Sequence, residues 1–111
     1  MVDSILKTIR SMRGLDSEDN TFDSELIPYI NASLFRLNTL GVITHSNYNI
    51  TGENETWADV LQESINRIGS IQTYMALRTQ ALFDPPTSAY LLSAIESEIQ
   101  ELEWTLEITN E

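Results

Sequence analysis

The stretch Leu82-Phe83-Asp84-Pro85-Pro86-Thr87-Ser88 places a break in the chain that no regular helix can cross. Proline has no amide hydrogen and disfavours helical backbone in the residue before it. Asp84 is therefore pushed out of the helix that arrives there, and the Pro-Pro step is a stiff corner. Thr87 or Ser88 then offers a hydroxyl to the free amides of the next turn. The arrangement predicts two long helices joined by a short rigid elbow and packed against each other.

The rest of the chain reads as helices of the same kind. Asp3 or Ser4 can cap a first helix, in which Ile5, Leu6, Ile9 and Met12 recur at helical spacing. Gly14 is placed to end it in a left-handed conformation. Its polar face carries Lys7, Arg10 and Arg13, three of the chain's six bases. Such a helix reads as the surface helix of a globular domain rather than as a membrane-lying one. Asp16 to Asn20 is an acidic turn without the spacing, central glycine or closing glutamate of a calcium hand. Phe22 to about Leu40 forms a second helix, with Leu26, Ile30, Leu34 and Leu37 on its apolar stripe. Pro28 falls inside it, so the regular helix is expected to begin near Ser24 or to kink at the proline. Gly41 ends it.

Val42 to Thr56 is rich in Asn, Thr, Gly and Ser and reads as a long loop, with a short hairpin as an option. His45, the sole histidine, lies there and reads as a surface residue. Thr56 followed by Asp59 resembles a capping box that opens the third helix. Gly69 marks a break or a close contact, and the pieces expected are about 57–62 and 65–83. After the elbow a fourth helix runs from about Ser88 to Ile108. Leu92, Ile95, Ile99, Leu102 and Leu106 give it a heptad-like seam, too short for a free-standing coiled coil. Glu96, Glu98, Glu101, Glu103 and Glu107 occupy its other faces, and no base follows Arg78. The fold class expected is all-α: a single domain over residues 1–111, a small bundle of about four helices with a long loop between helices two and three.

The 111 residues carry 17 acids against 6 bases, a formal net charge of -11. A surface of that sign repels nucleic-acid phosphates, which argues against free-standing DNA or RNA binding but not against a wall that DNA slides past. The chain has no cysteine, so neither disulfides nor thiolate metal sites arise. No apolar run has the length of a membrane span, and Met1 to Gly14 lacks a signal-peptide core. Three glycosylation-type triplets, at Asn31, Asn49 and Asn54, read as chance matches. No phosphate loop, nucleophile elbow, zinc motif or triad is present, so no catalytic, cofactor-binding or metal residue is assigned. Carboxylates two apart on a helix, such as Glu96 and Glu98, do not face each other. The chain is read as a non-enzyme without cofactor.

Several segments carry a resemblance to a known family. These are Leu6-Lys7-Thr8-Ile9-Arg10 with Gly14-Leu15-Asp16, Phe22-Asp23 leading to Ile30-Asn31, and Leu37 to Gly41-Val42. Ile50-Thr51-Gly52, Glu55-Thr56-Trp57, Tyr74 through Leu82-Phe83-Asp84-Pro85-Pro86, and Glu101-Leu102-Glu103-Trp104 continue it. Together they resemble the head-tail connector (adaptor) proteins of tailed bacteriophages, the gp6-like family, over nearly the whole chain. The resemblance implies a small α-helical virion subunit that forms a ring, usually a dodecamer, under the portal protein. Such a ring extends the DNA channel without specific DNA binding and docks the stopper or tail-completion protein. It implies a place at the head-tail interface of the virion, and in the host cytoplasm during assembly.

Against that background, two sets of residues are candidates for contact. Tyr48 and Ile50 in the long loop are expected to anchor one axial neighbour. Trp104, Leu106 and Ile108 are expected to dock another, the portal, either as a strand added to a sheet edge or from a fraying helix end. The basic first helix and acidic last helix either pair within one chain or favour head-to-tail contact between subunits. For that contact the candidates are Lys7, Arg10, Arg13, Glu96 and Glu103. The alternative function is a small acidic protein-interaction module such as a DNA mimic, and a metal hydrolase is a weaker third.

Overall fold

The computed structural model describes residues 4–43, 49–61 and 67–108. Five helices succeed one another: α1 (Ile5–Met12), α2 (Asp23–Thr39), α3 (Trp57–Leu61), α4 (Ile68–Phe83) and α5 (Ala89–Ile108). The protein is an all-α bundle, with no named strand among the described residues. Four longer helices and the short α3 match the expected elements, but Gly69 marks neither a break nor a close contact: it lies within α4, with nothing within 4 Å of where a Cβ would sit. Residues His45 and Tyr48 lie outside the described residues.

Local chemistry accounts for the helix ends. The Ser4 side chain accepts a hydrogen bond from the Lys7 amide at 3.2 Å and caps α1. Gly14 closes it at φ 83°, where the Gly14 amide reaches the Ser11 carbonyl and the Leu15 amide reaches the Arg10 carbonyl. Gly41 closes α2 in the same way at φ 80°, through Gly41 to Asn38 and Val42 to Leu37. Both are paired-bond caps that need a left-handed residue, which a side chain resists and glycine does not. Thr56 accepts from the Asp59 amide at 3.2 Å and opens α3. At the elbow Asp84 leaves helical geometry, and of the two hydroxyls Ser88 is the cap, accepting from the Leu91 amide at 3.3 Å.

Helix α2 begins beside Ser24, as expected, and Pro28 does not end it. The helix starts at Asp23, ahead of the proline, and runs on to Thr39. Its first turn has no side-chain cap, but Phe22 packs edge-on against Phe83, with ring centroids 5.4 Å apart. That contact ties the start of α2 to the end of α4, so the two helices run antiparallel.

Helix α4 is central and packs against α2, α5 and α1. One continuous apolar cluster draws on every helix, from Ile5 and Ile9 through Leu26, Leu34 and Trp57 to Met75 and Leu106. Helix α1 is fixed by the Ile5 amide on the Glu55 carbonyl at 3.1 Å and by the Trp57 indole on the Thr8 hydroxyl at 3.0 Å.

The described ends of the long loop are pinned as firmly. The Asn31 side chain clasps the Ile50 backbone, donating to its carbonyl at 3.1 Å and accepting from its amide at 2.7 Å. The Glu55 carboxylate accepts from the amides of Thr51 and Gly52. Burial alone would raise its pKa, but these bonds outweigh that and hold it below the usual carboxylate range. Ile50 itself is 1% exposed and belongs to the subunit's own core. The reading of Ile50 as an anchor for a neighbour is thereby corrected: held by Asn31, it has no apolar surface left to offer.

Candidate assembly surface

Charge is organised differently at the two ends of the chain. On α1, Arg10 is fully buried rather than part of a solvated polar face. Its guanidinium donates through Nε and Nη2 to both Asp23 oxygens, at 3.1 and 2.6 Å. Nη1 donates to Glu53 at 2.5 Å and to the Ser17 carbonyl at 2.7 Å. A planar fork meeting a carboxylate along two bonds is the geometry that favours arginine over lysine. This bond holds the Glu53 carboxyl below its ordinary pKa. Arg10 thus joins α1, the 16–20 turn, α2 and the 49–56 segment, and the expectation that it meets another subunit is corrected. Lys7 pairs with Glu18 at 3.0 Å and Arg13 with Asp84 at 3.8 Å. Lys7, Arg10 and Arg13 are therefore answered by acids of the 16–20 turn, the start of α2, the 49–56 segment and the elbow, not by α5.

Helix α5 lies along α4 and buries only one of its faces. Of its 20 residues only Leu106 is fully buried, while Leu92, Ile95, Ile99 and Leu102 are half-buried along the predicted seam. Two polar devices supplement that seam. Glu103 accepts from the Tyr74 hydroxyl at 2.7 Å and from Arg36 Nη2 at 3.1 Å, and Arg78 Nη1 lies 3.7 Å away. Arg78 also donates to Ser33 at 3.2 Å. Burial pushes the Glu103 pKa up, but Arg36 and Tyr74 more than offset it and leave the group ionised below its ordinary range. Burial, and then the Glu103 bond, push the Tyr74 phenol upward. At the far end Arg67 donates to the Leu106 carbonyl at 3.0 Å and to the Val42 carbonyl at 3.4 Å, placing a cation at the helix C-terminus.

The C-terminal candidates separate accordingly. Leu106 is core and Glu103 is committed within the subunit, whereas Trp104 and Ile108 are 64% and 51% exposed. Glu96 is exposed as well. Residues 104–108 are helical in the subunit, held by the Leu106 side chain and the Arg67 bond to its carbonyl. Thr109 lies outside the described residues.

One feature of α5 escapes a reading based on its buried seam. Tyr90, Ala94, Ser97, Glu101, Trp104 and Ile108 are spaced four, three, four, three and four, and all six are exposed. The helix thus carries two heptad-spaced stripes, one inward and one outward, and the second is legible only after the first is assigned. The apolar ends of the outward stripe are large, with Tyr90 81% exposed. Near the elbow, α4 and α5 also enclose an open groove of about 340 Å³, walled by Leu77, Pro86, Leu91, Ala94 and Ile95. Phe35 on α2 is a further exposed aromatic residue, at 69%.

Among the described residues no three potential metal ligands converge, and no helix is long and apolar enough to cross a membrane. A sequence model of one family, described as a phage connector protein, matches residues 5–111. No curated protein and no solved structure matches the chain.

Proposed function

The chain belongs to the phage connector protein family, and from that membership we propose that it is a non-catalytic head-tail connector of a tailed-phage virion. It assembles into a ring beneath the portal protein, continues the DNA channel and offers a platform to the stopper or tail-completion protein. The family match over residues 5–111 carries this reading. Two properties of the subunit support it. Its bases are answered within the subunit, and its last helix keeps large apolar side chains exposed. The bundle flanks supply the contacts between subunits, with exposed Phe35, Met12 and Leu82 available there. Ion pairs of Lys7, Arg13 or Glu96 only bias register, because exposed pairs contribute about 0–1 kcal/mol each. The net charge of -11 keeps DNA moving through the channel rather than held, by repulsion that weakens with salt.

The test is the mass of the purified chain, alone and mixed with the portal protein encoded beside it, by light scattering after gel filtration. A joint complex holding many copies of this chain is expected. A monomer that ignores the portal at every salt and concentration would overturn the connector role and favour the acidic interaction module.

A further inference from the structure

From the exposed stripe of α5 we infer a docking face for a basic amphipathic helix of a different protein, not for a second copy of this chain. The first observation is shape. Tyr90, Ala94, Ser97, Glu101, Trp104 and Ile108 lie along one side of a helix, and all are exposed. Spacings of three and four along a stripe match the knobs of a partner helix. Small Ala94 and Ser97 at its middle admit close approach, and Tyr90 and Trp104 supply bulky anchors at its ends. Tyrosine and tryptophan in such positions dominate many interfaces.

The second observation is charge. Glu98, Glu101 and Glu107 are exposed on or beside the stripe, and α5 contains no base. Two copies of this face would bring like charges together along the seam. Among the described residues, no other face can supply the missing cations without loss. Lys7, Arg10, Arg13, Arg36 and Arg78 each pair with a carboxylate of their own chain. Arg67 is engaged by the carbonyls of Leu106 and Val42. A copy that turned one of these bases toward α5 would break one bond for each it made. A partner with its own unpaired lysines or arginines gains attraction without that loss. Nucleic acid is excluded by sign. The inference identifies the kind of partner that the connector reading calls for, and it rests on that reading only for the partner's place in the virion.

The test uses the full chain and a synthetic helical peptide of about 18 residues, since the stripe spans about 27 Å at 1.5 Å per residue. The peptide carries leucines at heptad a and d positions and lysines beside them; a control replaces lysine by glutamate. Trp57 is buried and Trp104 is exposed, so acrylamide quenching of tryptophan emission reports on α5. The lysine peptide is expected to protect Trp104, and the glutamate peptide to leave it accessible. Tyr90→Ala with Glu101→Lys is expected to weaken binding about tenfold or more, while the helical circular dichroism stays unchanged. Protection by both peptides, or equal binding to that variant, would overturn the inference. So would a concentration-dependent rise in mass of the chain alone that Trp104→Ala abolishes, because the face would then be homotypic. Failure to bind the portal, with the peptide result intact, would remove the connector reading and leave the docking face standing.

Discussion

The first helix and the last divide the work of the subunit in opposite ways. Within its eight residues α1 buries Ile5, Leu6, Ile9 and the whole Arg10 side chain. Helix α5 is more than twice as long and buries only Leu106. The first spends its one central charge inside, on Asp23 and Glu53. The second leaves most of its carboxylates in solvent and uses one, Glu103, to fasten itself to α2 and α4. The contrast predicts that α1 to α4 are the more stable part and that α5 opens first. Helix α5 is held along α4 by one face and leaves the other exposed. Low burial per residue is where local opening concentrates.

That contrast breaks most severely at Arg10. Arg10→Ala leaves Asp23 and Glu53 without their cation and empties a fully enclosed volume, and is expected to cost about 3 kcal/mol or more in urea unfolding. Arg10→Lys should recover part of this, since it keeps the charge but not the fork. If Arg10→Ala unfolded at the wild-type urea midpoint, the N-terminal body would not be the stable half.

The next largest effects should fall on α5 and remain local. Leu106→Ala is expected to cost about 2 kcal/mol, the low end for a buried leucine in a site free to relax. Tyr74→Phe removes the hydroxyl that Glu103 accepts and should cost about 1 kcal/mol. For both, amide exchange should rise first in residues 89–108. Uniform acceleration through α1 and α2 would show that α5 does not open separately from the rest.

Acid should separate the regions further. The folded pKa of Glu103 lies below its ordinary value of 4.5, so its contribution to stability is complete above that pH. It is lost as pH falls through the lower, folded value. Glu103→Gln is therefore expected to narrow the stability difference between pH 7 and pH 3, by an amount that urea midpoints at the two pH values would measure. An unchanged difference would show that Glu103 does not couple α5 to pH. The smallest effect belongs to Trp104→Ala, within about 0.5 kcal/mol of wild type by thermal unfolding, since its side chain is mostly in solvent.

The sequence alone determined the elements and their punctuation. Gly14 and Gly41 end helices as read, Thr56 opens α3, and the prolines at 85 and 86 separate α4 from α5, because each of these acts through backbone geometry within a few residues. The all-α class and the inward seam of α5 followed from periodicity for the same reason. Where the reading failed, the deciding partner lay far along the chain. Arg10 looked like surface because its carboxylates sit 13 and 43 residues away. Ile50 looked like a loop anchor because the amide that holds it belongs to Asn31, 19 residues earlier. Leu106 looked like a docking residue because the base that holds its carbonyl, Arg67, lies 39 residues earlier. Whether a charge is solvated or enclosed depends on what the fold brings against it. Periodicity ranks the faces of a helix, but only tertiary packing decides which face is covered. In this chain that packing buried a base on α1 and left the outer stripe of α5 open.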